Sequence, residues 1–410
     1  MHAKTGAVLA AVATMGAAAA PAAAQTQTTC SFDESTATVT VSVNGKGAII
    51  RVDQPGGAIL VNQDSCGGAT VTTTDTILVN GGVFGDTVSL TGSYAPGLTV
   101  EPTGESEIEI LFTLGAGDDT FVREYGAGGN RVIFAGGGID ERDDGDEDIT
   151  TAGVERLLIR GGGGDDIING SAYTGTPPGG LVDLDGGAGN DRLTGTNGRD
   201  RLFGGSGDDV MFGGAGNDEL FGHEGADILD GGPGNDIFGP ESATAEGADL
   251  IRGGDGVDTM NTYKFRLGAV TVTVGNGLAD DGAPGEGDEV ESDVENVRGG
   301  RGDDVLVGNG RRNEIWGGRG NDEIYGGGRG DWLHGDSGND ILFGDDGNDE
   351  IDGGPGDDTV TGGAGTDALE GNGGNDTIFN ADGEMDDVAC GFGNDDAEDD
   401  PLDTIDGCEL

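Results

Sequence analysis

Apolar positions follow two patterns along this chain. Over residues 25–110 they alternate with polar ones: Val39, Val41 and Val43 interleave with Thr38, Thr40 and Ser42, the period-2 signature of a half-buried strand. Further apolar runs at 49–52, 59–61, 77–79 and 108–114 are separated by Gly, Pro, Asn and Asp, so this stretch predicts a small β-rich module with no helical signal. From Gly186 the period changes to nine. Units start at 186, 195, 204, 213, 222 and 231, once more at 253, and then without a gap from 299 to 371. Self-similarity at a short fixed period predicts a solenoid.

Two columns distinguish a folded repeat from a Gly-Asp linker. Position eight is always apolar: Leu193, Leu202, Met211, Leu220, Leu229, Phe238 and Met260, then Leu306, Ile315, Ile324, Leu333, Leu342, Ile351, Val360, Leu369 and Ile378. A solvated linker has no reason to keep such a column. Position six is Asp191, Asp200, Asp209, Asp218, Asp227, Asp236 and Asp258, then Asp304, Asp322, Asp331, Asp340, Asp349, Asp358, Asp367 and Asp376, with Asn313 as the one break. Six residues of each unit read as a turn and three as a strand with residue eight facing inward. Two units then make one coil, and alternate units stack on the same side.

That stacking places position-six carboxylates about 4.8 Å apart, one strand spacing. Composition sharpens the problem: 78 Asp and Glu stand against 20 Lys and Arg, a formal charge of -58, with only 5% aromatic residues. Such a chain repels itself and offers little ordinary core, so a cation has to join the carboxylates for it to fold. Ca²⁺ suits the spacing, since it takes 6 to 8 oxygen ligands in flexible geometry, carboxylates and carbonyls together. Mg²⁺ demands a stricter octahedron, and no Cys or His cluster offers a zinc or copper site. The glycines at positions one, two and four, such as Gly186, Gly204, Gly213, Gly231, Gly317, Gly353 and Gly362, read as turn residues whose carbonyls complete the shell.

The pattern Gly-Gly-x-Gly-x-Asp-x-apolar-x resembles the RTX, or hemolysin-type, calcium-binding repeat. The resemblance covers about 186–261 and 299–379, and implies a right-handed parallel β-roll with multiple Ca²⁺ held between successive turns by the position-six Asp side chains and glycine carbonyls. Some units depart from it. The unit at Gly308 has Arg311 at position four and Asn313 at position six, which predicts a weak or empty site, with Arg311 or Arg312 substituting a fixed positive charge. Arg329 at position four makes the turn at Gly326 doubtful. Looser copies occur upstream, at Gly161, Gly162, Gly164, Asp166 and Ile168, at Gly115, Gly117, Asp119 and Phe121, and at Gly81, Gly82, Asp86 and Val88; Asp166 joins the candidate ligands.

The expected organisation is a signal peptide (1–24), the β-rich module (25–110), degenerate solenoid repeats (111–185), a first repeat block (186–261), an inserted coil with acidic loops (262–298), a second block (299–379) and a stapled cap (380–410). Residues 6–24 form a small-apolar run behind Lys4 and ahead of a cleavage signature near Ala24, so the chain is expected to be secreted. The four cysteines form two distant pairs, Cys30 with Cys66 and Cys390 with Cys408. Two local disulfides are the natural expectation, although three connectivities are formally open. Cys390 and Cys408 lie 18 residues apart, one coil, and closing such a loop contributes on the order of 3 kcal/mol.

No catalytic constellation accompanies the repeats. His2 lies in the leader, while His223 and His334 occupy repeat positions two and nine, outside any His-Glu-x-x-His motif; no Ser sits in Gly-x-Ser-x-Gly. The reading is a secreted, extracellular, monomeric and non-enzymatic calcium-binding protein. A second reading is a surface adhesin or polysaccharide-binding protein. A third, less favoured, is a polysaccharide-active enzyme working with carboxylates. The acidic charge argues against a nucleic-acid partner, and the lack of a long apolar region argues against membrane insertion.

Overall fold

The computed structural model describes residues 156–171, 181–239, 247–398 and 401–408; upstream, apart from Cys30, only the backbone of individual strands is described. The chain divides into two compact units, Met1–Gly205 and Ser206–Leu410. The apolar run at 6–24, apart from the backbone strand Ala7–Leu9, lies outside the described residues.

The first unit joins antiparallel hairpins to a parallel roll. Thr29–Asp33 pairs antiparallel with Thr38–Ser42, and Ala48–Asp53, Ala58–Val61 and Asp64–Thr70 form a meander, a pairing that the alternating pattern did not specify. Parallel stacking follows: Thr87–Thr91, Thr120–Glu124, Arg156–Gly163 and Leu181–Ala188 form one wall. Arg131–Ala135, Ile167–Asn169 and Arg192–Thr194 form another. The solenoid therefore begins well before Gly186. Ile168 stacks on Leu193, and Leu157 and Ile159 on Val182 and Leu184, all buried.

The second unit is a parallel β-roll with two unequal walls. One wall runs without interruption through Glu219–Glu224, Ile237–Phe238, Thr259–Met260, Asn296–Arg298, Glu314–Arg319, Trp332–Ser337, Glu350–Asp352, Ala368–Glu370, Asp387–Ala389 and Thr404–Asp406. The opposite wall comes in two pieces. Val210–Phe212, Ile228–Pro233, Leu250–Asp255 and Glu289–Val290 make the first. Thr271–Thr273, Val305–Val307, Glu323–Gly328, Ile341–Asp346, Thr359–Ala364, Thr377–Phe379 and Asp396–Glu398 make the second.

The joint between the pieces is residues 262–298, which supply strands to both walls. A 3-10 helix, Thr262–Phe265, buries Tyr263, whose hydroxyl donates to Asp288 at 2.5 Å. Arg266 forms a buried ion pair with Glu286 at 2.5 Å, and Asp281 accepts the amides of Thr273 and Val290. The acids of this segment thus satisfy the backbone where the regular ladder is broken. At the other end, Cys390 and Cys408 are disulfide-bonded with a Cα–Cα distance of 5.1 Å, next to the paired Ala389 and Asp406. Cys30 is disulfide-bonded as well.

Every position-eight residue of the array is buried, at 0 or 1% exposure, while its strand neighbours face outward. Because the coil is two strands thick, each such side chain is surrounded by the same column above and below and by the facing wall. Removing one leaves a cavity that its neighbours cannot collapse into. Leu342→Ala is expected to destabilise the calcium-saturated protein by about 2–5 kcal/mol in chemical denaturation. Ile341→Ala, at an outward position, should cost within about 1 kcal/mol; equal effects would refute the assigned facing.

Candidate metal centre

Each position-six Asp stands where a turn becomes a strand, and all sixteen candidate carboxylates are at most 2% exposed. Most of them share one arrangement: Oδ1 accepts the amide N–H of the corresponding residue one coil earlier. In the second unit this makes three columns. Asp209 donates to Asp227 and Asp227 to Asp249, each at 2.8 Å. On the uninterrupted wall, Asp218 donates to Asp236, Asp236 to Asp258, Asp331 to Asp349 and Asp349 to Asp367. Asp304, Asp322, Asp340, Asp358 and Asp376 form the third column at 2.7–2.9 Å. In the first unit, Asp166 donates to Asp191 at 2.7 Å.

The second carboxylate oxygen has a different fate. Among the described residues, Oδ2 of Asp227, Asp236, Asp258, Asp322, Asp331, Asp340, Asp349, Asp358, Asp367 and Asp376 is buried yet accepts no hydrogen bond. It turns toward the position-one glycine of its own unit. A Cβ placed on Gly335 would stand 2.6 Å from Oδ2 of Asp340 and 2.4 Å from the carbonyl oxygen of Gly353 in the next coil. The same pair of oxygens meets at Gly317, Gly326 and Gly344. Position one is glycine for room. That corrects the expectation from sequence, because a left-handed backbone is required only at positions two and four.

Several residues other than glycine at these positions adopt the left-handed region anyway, His223, Asp336, Asp345 and Asn372 at position two and Arg329 at position four with φ +70°, whereas Thr196, Asn309 and Arg311 do not. The turn that Arg329 made doubtful is therefore formed, with Asp331 in register. The backbone conformation is set by the stacked neighbours, and a non-glycine residue there carries strain of order 1 kcal/mol.

The arrangement presents oxygen: one carboxylate oxygen per rung and the carbonyl of the position-one glycine in the next coil. Among the described residues no group of three or more His, Cys, Asp or Glu side chains converges on one point. This donor set fits a hard cation with a high coordination number. Burial, the largest cause, pushes the carboxyls of Asp227, Asp236, Asp258, Asp322, Asp331, Asp349 and Asp358 up to about 7, and Asp340 up to about 6. The accepted amide opposes this in each case, and in most the charges of neighbouring carboxylates add to it. A cation at Oδ2 would remove the penalty.

Not every rung is alike. Both oxygens of Asp304 are engaged, by the amides of Val270 and Gly300. Asp200 accepts the amide and hydroxyl of Thr196. At the Gly308 unit, Asn313 is fully used: it accepts the amide of Asn309, donates its own amide to Asp331 and donates Nδ2 to the carbonyl of Glu295. Arg311 forms an ion pair with Glu295, and Glu295 in turn accepts the amide of Asp258. Arg312 instead lies over Trp332, 4.1 Å from the ring centroid.

Several members of the columns escape a nine-residue template. Asp249 and Asp288 continue the Asp227 column; Asp386 follows Asp367 and Asp395 follows Asp376. Oδ2 of Asp386 and of Asp395 is again buried without a hydrogen bond among the described residues. The signal was available in truncated units: 247–252 read Gly-x-Asp-x-apolar-x, and 390–398 fit the full repeat with Cys390 in place of its first glycine. A second ladder was missed at position five, where Asn321 donates its amide to Asp303, Asn339 to Asn321, Asp357 to Asn339 and Asn375 to Asp357.

Carboxyls that titrate near 6–7 when folded and near 3.9 when unfolded bind extra protons in the folded state between those values. Their contribution to stability is therefore fully present below about pH 4 and is lost as pH rises through about 7. In chelator, far-UV circular dichroism should show more β structure at pH 5 than at pH 8. In saturating calcium the signal should be flat from pH 6 to 8, because cation-bound and unfolded carboxylates are both ionised there. A metal-free signal independent of pH would contradict the buried-carboxylate account.

No curated protein matches the chain significantly. The family model of the RTX calcium-binding nonapeptide repeat (4 copies) matches residues 158–172, 185–220, 203–238, 244–263, 298–328, 325–360 and 352–384. Those stretches contain the column members that a strict nine-residue count leaves out at Asp249, and the looser copy at Asp166. From residue 158 to 384, then, the chain carries several copies of the RTX calcium-binding nonapeptide repeat.

Proposed function

We propose that this protein is secreted, is not an enzyme, and folds outside the cell when its repeats bind many calcium ions. The observation that carries this reading is the row of buried Oδ2 atoms that accept no hydrogen bond while facing glycine carbonyls. Leaving so many buried carboxylate oxygens uncompensated is costly, and a shared divalent cation offsets that cost at each rung. The position-six Asp side chains and the carbonyls of position-one glycines are the proposed ligands. Rungs whose oxygens are already engaged, at Asp200, Asp304 and Asn313, are proposed to bind weakly or not at all. The Gly308 unit then uses the Arg311–Glu295 pair where its neighbours use an ion. Residues 1–24 are proposed to act as a cleaved leader and 380–410 as a disulfide-stapled cap that protects the final strand edge.

The non-enzymatic reading draws on where the histidines sit. His223 stacks beside Phe221, and His334 beside Trp316, each in a repeat position.

A calcium titration of residues 25–410 followed by far-UV circular dichroism should show a cooperative gain of β structure. The expected midpoint is in the roughly 10⁻⁴–10⁻³ M range of extracellular modules, and magnesium should fail to reproduce the transition. A protein already folded in chelator at pH 8, or indifferent to calcium, would overturn the proposal. Asp340→Asn should raise the midpoint roughly two- to fivefold, whereas Asp304→Asn should move it less, because only Asp340 has an oxygen left for an ion. Isothermal titration of the two variants would detect the converse.

A further inference from the structure

The basic residues of this chain are few, and most of those with described contacts are spent on pairing. Arg160, Arg201, Arg252, Arg266 and Arg311 pair with Asp185, Asp183, Glu291, Glu286 and Glu295 respectively. Against that background one groove of the second unit stands apart. It has a volume of about 480 Å³ and is lined by Lys264, Arg298, Arg301 and Arg319 together with Phe265 and Trp316. Four of the chain's 20 Lys and Arg thus meet in one place, in a molecule with 78 acids. Among the described residues none of Lys264, Arg301 and Arg319 forms an ion pair, although all three are exposed. One carboxylate lies in the lining, Asp336, and its neighbouring charges are Arg298, His334 and Asp352.

The register organises these groups. Arg298, Trp316 and His334 occupy one outward row on three successive strands of the uninterrupted wall. The Arg298 guanidinium lies 3.7 Å from the Trp316 ring centroid, and the His334 ring stacks on the other side at 5.6 Å and 14°. The indole of Trp316 is therefore stacked between a guanidinium and an imidazole. Arg301 and Arg319 form a parallel row in the turns, also one strand apart, since the amide of Arg319 bonds to the carbonyl of Gly300. Cationic and N–H donors thus repeat at the strand spacing of about 4.8 Å, comparable to the length of one sugar residue in an extended glycan.

We propose that this groove binds a segment of an acidic polysaccharide, its carboxylate or sulfate groups taken by Arg298, Arg301, Arg319 and Lys264 on successive rungs. A planar guanidinium suits either anion through paired N–H donors, and repetition of the donors along the roll selects a repeating ligand over a single ion. The surrounding negative potential disfavours long-range capture of any polyanion, so recognition relies on these short-range contacts. The inference goes beyond the calcium reading: it needs the folded roll but not that calcium drives the folding.

The test uses residues 25–410 carrying Trp332→Phe, which leaves Trp316 as the one tryptophan and a fluorescence reporter, in saturating calcium with circular dichroism confirming the fold. Oligogalacturonate, a sulfated glycan oligomer, a neutral β-glucan oligomer and single-stranded DNA are titrated in parallel. The expected result is salt-sensitive binding of the carboxylated or the sulfated oligomer, the stronger arm identifying the anion, and no binding of the neutral one. Arg301→Ala with Arg319→Ala should weaken it ~10-fold or more, and Arg319→Glu at least as much. Both residues are exposed and without ion pairs, so the variants should fold. Equal binding of the neutral oligomer, equal or tighter binding of DNA, undiminished binding by the variants, or no binding in any arm would each overturn the proposal.

Discussion

A single buried carboxylate, with one oxygen bonded to the coil before it and the other facing backbone carbonyls, is the constraint on which the rest of this structure depends. The first oxygen fixes the register between coils, since the amide it accepts belongs to the same repeat position one coil away. The second sets the glycine at position one, because a Cβ there would collide with it. With turns held at that separation, the strands between them pair in parallel and the position-eight side chains form a dry column. The apolar column alone is narrow, one residue in nine. It would be a meagre core if the turns on either side were left to repel each other.

The units that break the pattern show how the same requirement is met without an ion. Asp304 takes two amides, and Asn313 uses both ends of its side-chain amide where aspartate would have presented charge. Arg311 then neutralises Glu295, the nearest acid of the preceding coil. Along the insertion Tyr263, Arg266, Asp281 and Asp288 take over the work of a missing turn. Across these departures the condition is constant: each buried oxygen needs a donor or a cation, and the local sequence decides which.

The distribution of positive charge follows from this. Arg201 and Arg252 sit against particular acids, whereas the groove around Trp316 collects Lys264, Arg301 and Arg319, none of which forms an ion pair among the described residues. Outward positions of a repeat are free of the packing and ligand constraints that hold positions one, six and eight, so function beyond ion binding has room to evolve there.

The repeat, its inward residue and its acidic residue were all legible in the chain, because a solenoid places equivalent residues in equivalent surroundings and periodicity survives in one dimension. The upstream copy at Asp166 and the coil-length spacing of Cys390 and Cys408 were readable for the same reason. Tertiary structure alone decided the rest. The reason for glycine at position one is a collision between groups far apart in sequence, such as Gly335 with the carbonyl of Gly353. Which rungs keep a free carboxylate oxygen depends on whether the position-two amide of the same unit is turned onto it, as Gly300 is onto Asp304. The columns through Asp249, Asp288, Asp386 and Asp395 survive insertions and deletions that erase the nine-residue count, because register is held by hydrogen bonds across coils and not by distance along the chain. And the groove gathers Lys264, Arg298, Arg301 and Arg319 from a 3-10 helix, two strands and a turn, a juxtaposition that exists only once the roll is wound.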